Sequence, residues 1–140
     1  MKKVIKRLCI LKKINLILFF CLWIGDVHAD QELSLFPAIK SQFSKYREII
    51  QTQDVQIING VLQIKLNGRR TNIETQMFIG FFSIGKVLWN RNYPIREVRI
   101  IVRYTQKISH FESLTAPADL VISLAQGHMN SEQFFTILEH

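Results

Sequence analysis

Cysteine is scarce: the 140-residue chain holds two, Cys9 and Cys21, and both fall within the first 29 residues. Residues 30–140 therefore offer no disulfide, no thiolate nucleophile and no cysteine-based zinc site. Proline and glycine are also sparse, at 3 and 6 residues. No Pro/Gly/Ser-rich linker, repeat or low-complexity tract interrupts the chain, so a single folded domain is expected after residue 29. Long hydrophobic runs are missing too. The most apolar stretch, Ile14–Gly25, has 12 residues, whereas a membrane-spanning helix needs at least ~17. Two catalytic signatures are absent as well, the Gly-x-Ser-x-Gly elbow and a paired-carboxylate motif.

What is present first is an address. Met1–Lys13 is basic, Ile14–Gly25 is apolar, and Asp26-Val27-His28-Ala29 ends in a small residue with Val two positions before it. A charged segment, a short apolar segment and a small-residue cleavage site together predict a secretory signal peptide over residues 1–29. Cleavage after Ala29 would leave a mature chain of Asp30–His140. The rival reading is a retained anchor, which the short apolar run disfavours. Membrane association is expected only if the leader is kept. Lipoprotein processing is disfavoured because Cys21 follows Phe19-Phe20 and Cys9 follows Arg7-Leu8, not small residues.

The leader also distorts the charge. The whole chain carries +7, but Lys2, Lys3, Lys6, Arg7, Lys12, Lys13 and Asp26 account for +5 of it. The remainder has 12 basic and 10 acidic residues, a net +2. A near-neutral domain is a poor nucleic-acid binder, since affinity for nucleic acid comes from neutralising many phosphates.

Periodicity then sketches the domain. Phe36, Ile39, Phe43, Tyr46 and Ile50 recur at spacings of three and four, predicting a helix over Leu35–Gln51, with Pro37 in its first turn. Asp54–Leu66 reads as a β-hairpin about an Asn59-Gly60 type I′ turn. That turn pairs Ile58 with Val61, Ile57 with Leu62 and Val55 with Ile64. Strand alternation independently puts Val55, Ile57, Leu62, Ile64 and Leu66 on one face, and Gln56, Gln63 and Lys65 on the other.

A second helix is predicted over Asn72–Asn90, opened by a Thr71/Glu74 capping box. Ile73, Met77, Phe81, Ile84 and Leu88 form its stripe; Phe78, Val87 and Trp89 widen it around much of the circumference. Gly80 and Gly85 each cost about 1 kcal/mol against Ala inside a helix, which implies close approach to a sheet or another helix. Ile95–Thr105 alternates as a strand, and Lys107–Thr115 reads as a further strand. Ala118–Ala125 is helical with Gly127 as its stop. A last helix over Ser131–Glu139 is capped by Asn130 and Gln133. The expected fold class is α+β: a small two-layer sandwich, order roughly α-β-β-α-β-α-α, with a right-handed crossover through the second helix.

Candidate chemistry is thin. His110 and Glu112, two apart on a strand, share a face and with His128 would form a two-His, one-carboxylate metal set; ordinary surface residues are the preferred reading. Asp54, Glu74, Asp119 and His110, with Ser109, Ser113 and Ser123, supply groups for a small hydrolase, but Glu74 and Asp119 read better as helix-start acids. Neither a cofactor nor a metal is expected. Arg69-Arg70, Arg91, Arg96, Arg99, Arg103 and Lys107 are the notable cations. Arg99, Arg103 and Lys107 share one strand face with Ile101 among them, a row suited to an anionic partner or to a solvated face. Ile101 implies that this face is partly covered, by the C-terminal helices or by a partner. Phe78, Phe81, Phe82 and Trp89, with Arg91-Asn92-Tyr93-Pro94, would line a groove or belong to the core; exposure of Phe82 or Trp89 would instead mark an interface.

The candidate interaction surface is accordingly Arg99, Ile101, Arg103, Lys107, Phe82 and Trp89. The leader points to the bacterial cell envelope, with a periplasmic or secreted location. The expected function is a non-catalytic binding or accessory role beside an envelope protein partner. The alternatives are a periplasmic binder of an anionic ligand or lipid, and a small hydrolase.

Overall fold

The computed structural model describes residues 34–105 and 109–139. The predicted leader and its cleavage site lie outside them, as does Lys107. Ser34–His140 forms one compact unit.

Helix α1 covers residues 34–44. Its Leu35, Ile39 and Phe43 are fully buried. The expected helix to Gln51 stops early because Arg47 adopts a left-handed conformation, φ 61°. Glu48 N–H donates to Phe43 O at 3.1 Å and Arg47 N–H to Ser44 O at 3.1 Å. These two bonds form a Schellman closure, here with arginine where glycine is usual. Ile50 is nevertheless buried, beyond the helix. A 3₁₀ turn, Thr52–Asp54, leads into β1, Val55–Ile58.

The hairpin forms as expected. Asn59 and Gly60 both have positive φ, 51° and 76°, and β2, Val61–Gly68, pairs antiparallel with β1 in the predicted register. Arg96 fastens the turn: its guanidinium donates to Asn59 O at 2.7 Å and its backbone N–H to Gly60 O at 2.8 Å.

Helix α2, Ile73–Trp89, starts differently from expectation. Its N-cap is Asn72, preceded by a 3₁₀ turn over Arg70–Asn72. Asn72 Oδ1 accepts from Arg69 N–H at 3.2 Å, so the approach is organised around Asn72 and not by a Thr71/Glu74 box. Both helix glycines mark close approaches. A Cβ at Gly80 would stand 3.0–3.1 Å from the Ile100 side chain; one at Gly85 would strike the Val121 carbonyl oxygen and lie 2.6 Å from Ala125 Cβ. One glycine thus admits the sheet, the other a helix.

Strand β3, Glu97–Thr105, runs parallel to β2. Strand β4, Ser109–Pro117, returns antiparallel to β3; it is the further strand read over Lys107–Thr115, which the expected element order left out. The sheet order is β1-β2-β3-β4. Helix α3, Ala118–Gln126, ends at Gly127, whose φ is 81°. Helix α4, Ser131–Leu138, is capped by Asn130, which accepts from Gln133 N–H at 2.8 Å. Val98, Ile100 and Val102 of β3 share one core with Leu62, Ile64 and Leu66 of β2, Phe81 and Ile84 of α2, Val121 of α3 and Phe134 of α4. The result is the α+β fold, a mixed sheet with its helices on one face. No helix of the described residues is long and apolar enough to cross a membrane.

Candidate functional site

Strand alternation turns Val98, Ile100 and Val102 to the helices, and Arg99, Ile101 and Arg103 to the other face. On that face Arg99 is in register with Gln63 and Thr115, Ile101 with Lys65 and Ser113, and Arg103 with Asn67 and Phe111. Among the described residues no helix lies over it. The expectation that the C-terminal helices cover Ile101 is therefore corrected: α3 packs against α2, and Phe134 of α4 meets Phe81 of α2 at 5.1 Å between ring centroids. Ile101 is half-buried, in register between Lys65 and Ser113; the alkyl stem of a lysine is able to shield apolar surface while its charge stays in water.

Polar contacts order part of this face. Arg99 Nε donates to Thr115 Oγ1 at 3.0 Å, and Gln63 Nε2 to Gln56 Oε1 at 3.4 Å. Asp54 precedes β1 in phase with Gln56. Only 7% of it is exposed. It accepts from Gln51 N–H at 3.1 Å and pairs with Arg103 at 3.3 Å. This is the one ion pair among the described residues. The Arg103 side chain is 45% exposed, so solvent screening leaves the pair itself little stability to add, about 1 kcal/mol or less. It does fix the guanidinium beside a hollow of about 680 Å³, lined by Gln51, Gln53, Asp54, Gln56, Lys65, Asn67, Arg103 and Ile49. Phe111, 64% exposed, stands across from Arg103 in register. Sequence reading did not assign Asp54, Asn67 or Phe111 to this surface, although the strand phase that places Gln56 also places Asp54.

Phe82 and Trp89, named with the arginines as one candidate surface, lie on α2, across the sheet from Arg99 and Arg103. Phe81 belongs to the core, while Phe82 is half-buried and Trp89 exposed. Arg91 donates to Tyr93 Oη at 3.0 Å. Neither of the two hollows described includes these aromatic residues.

The metal and hydrolase candidates scatter. His110 stacks on Tyr104, 6.0 Å between ring centroids, and Tyr104 Oη donates to Glu112 Oε1 at 3.3 Å. His128 lies in the α3–α4 connection, hydrogen-bonded through its backbone to Ser123 O. No group of three or more metal-ligating side chains occurs among the described residues. Asp119 Oδ1 accepts from Leu120 N–H at 2.8 Å in the first turn of α3. Glu74 occupies the first turn of α2 and lines a second hollow, of about 580 Å³, with Glu112 and Glu139. Asp54 is instead part of the sheet's open face.

No protein-family model, no curated protein and no solved structure matches the chain.

Proposed function

We propose that this protein is an exported binding or accessory component of the bacterial cell envelope, engaging a protein partner through the open face of its sheet. The observation that carries the reading is the surface built by Arg99, Ile101, Arg103 and Phe111. It combines an exposed aromatic, a half-buried aliphatic and two guanidinium groups on regular strands, a composition favoured at protein interfaces. The leader composition supports export.

The polar hollow beside Arg103 supports a second reading, the binding of a small anionic ligand between Lys65 and Arg103. A photoreactive side chain placed at Ile101 or Phe111 of the full chain in cells discriminates the two. Expected are a mature N-terminus at Asp30 and adducts to one envelope assembly from both positions, lost in the Arg99→Glu/Arg103→Glu variant. Adducts from neither position would reject the partner-binding reading, and an intact cytoplasmic N-terminus would reject export.

A further inference from the structure

Helix α2 carries a second apolar stripe, only part of which rests on the core. Phe78, Phe82, Lys86 and Trp89 follow one another at spacings of four, four and three, which puts them in a line along the helix. Phe78 and Phe82 stack with centroids 5.8 Å apart. Lys86 Nζ lies 5.2 Å from the Phe82 ring centre and 5.0 Å from that of Trp89. Tyr46, from the turn after α1, meets Phe82 edge-on at 6.5 Å. Phe78 and Phe82 rest partly on the core, but Tyr46 and Trp89 are 41% and 49% exposed.

The charges beside the end of the stripe that carries Phe82 and Trp89 are mainly cationic. Lys45 and Arg47 flank Tyr46, Lys86 sits between the rings, and Arg91 follows Trp89; none forms an ion pair among the described residues. The acids stand at the Phe78 end: Glu74, four residues before Phe78 in the first turn of α2, and Glu48, which accepts from Gln76 Nε2 at 3.5 Å. A small ligand would need a concave site, and the hollows described lie elsewhere. A line of partly exposed rings bordered by cations instead matches a fluid, negatively charged surface, where Trp and Tyr settle at headgroup level and Lys and Arg meet phosphate.

We propose that the Tyr46–Phe82–Lys86–Trp89 stripe docks this protein on an anionic lipid bilayer. The rings enter the headgroup layer, and Lys45, Arg47, Lys86 and Arg91 lie against lipid phosphates. The docking is independent of the partner surface on the opposite side of the sheet.

The chain has two tryptophans, Trp23 and Trp89, so the full-length Trp23→Phe variant reports Trp89 alone. It is mixed with phosphatidylcholine vesicles, with and without phosphatidylglycerol, carrying brominated acyl chains. The leader is able to hold the chain to either vesicle; the environment of Trp89 is the readout. Expected are a blue shift and bromine quenching only with phosphatidylglycerol. Adding Arg47→Gln/Lys86→Gln should lower the docked-to-undocked ratio by about 25-fold, roughly fivefold per cation removed, with an unchanged circular dichroism spectrum. Water-like, unquenched emission from chains that sediment with the anionic vesicles would overturn the proposal. So would equal quenching in phosphatidylcholine alone.

Discussion

Replacing Gly85 by alanine tests how α2 and α3 fit together. In an isolated helix the change is favourable by about 1 kcal/mol, because glycine is the poorer helix former. Here the new methyl group would collide with the Val121 carbonyl oxygen and stand 2.6 Å from Ala125 Cβ. Neither neighbour is able to rotate away, since one is backbone and the other the first atom of its side chain. Relief requires α3 to move bodily, and overpacking of this kind costs up to about 3 kcal/mol. The net expectation is a loss of about 2 kcal/mol. Gly80→Ala is the internal control. Its methyl group would meet the Ile100 side chain at 3.0–3.1 Å, a contact that a shift of a few tenths of an ångström relieves. The cost there is about 1 kcal/mol, offset by a similar propensity gain, so stability should change by less than about 1 kcal/mol. Urea unfolding followed by far-ultraviolet circular dichroism measures both. The expected signature for Gly85→Ala is a lower midpoint with an unchanged slope. A Gly85→Ala protein as stable as the parent would refute the close approach of these helices.

Further substitutions probe other local arguments. Ser83 is fully buried with its hydroxyl unpartnered among the described residues, so Ser83→Ala should raise stability by about 1 kcal/mol in the same urea assay; a loss would mean that the hydroxyl has a partner. Arg47→Gly relieves a left-handed residue at the end of α1 and should stabilise by about 0.5–1 kcal/mol, seen as a higher urea midpoint. Asn130→Ala removes the bond to Gln133 N–H and should cost about 1 kcal/mol, or roughly 5 °C in Tm. An unchanged Tm would show that α4 docks through Phe134 without help from its cap.

Short-range order was the most legible part of this fold. The Asn59-Gly60 turn and the alternation of Val55–Leu66 select one register independently, and that register is observed. Gly127 and the Asn130/Gln133 box work through neighbouring backbone, so they too could be read locally. The failures occur where one residue competes with a pattern. The apolar spacing of Phe43, Tyr46 and Ile50 fits a continuing helix, but Arg47 turns left-handed and Ile50 enters the core from a loop. Thr71 and Glu74 have capping-box spacing, yet Asn72 lies closer to the first helical residue and takes the cap position. Neither outcome is encoded in composition or period.

The candidate site shows the same division at larger scale. Alternation was enough to put Arg99, Ile101 and Arg103 on one strand face. It could not say which face the helices would cover, because α2, α3 and α4 choose their side through Phe81, Val121 and Phe134, far apart in sequence. Once they are placed, the arginines and the α2 aromatics separate. Ile100 meets α2 at Gly80, whereas Arg99 and Ile101, its neighbours in β3, point the other way. The helical layer and the sheet therefore stand between the two exposed surfaces. A molecule docked through Trp89 leaves Ile101 accessible, so occupation of one surface leaves the other free. If lipid docking and partner capture both occur, crosslinking from Ile101 should be equally efficient with and without anionic vesicles. Crosslinking suppressed by vesicles would place both ligands on one surface, contrary to the geometry of this sheet.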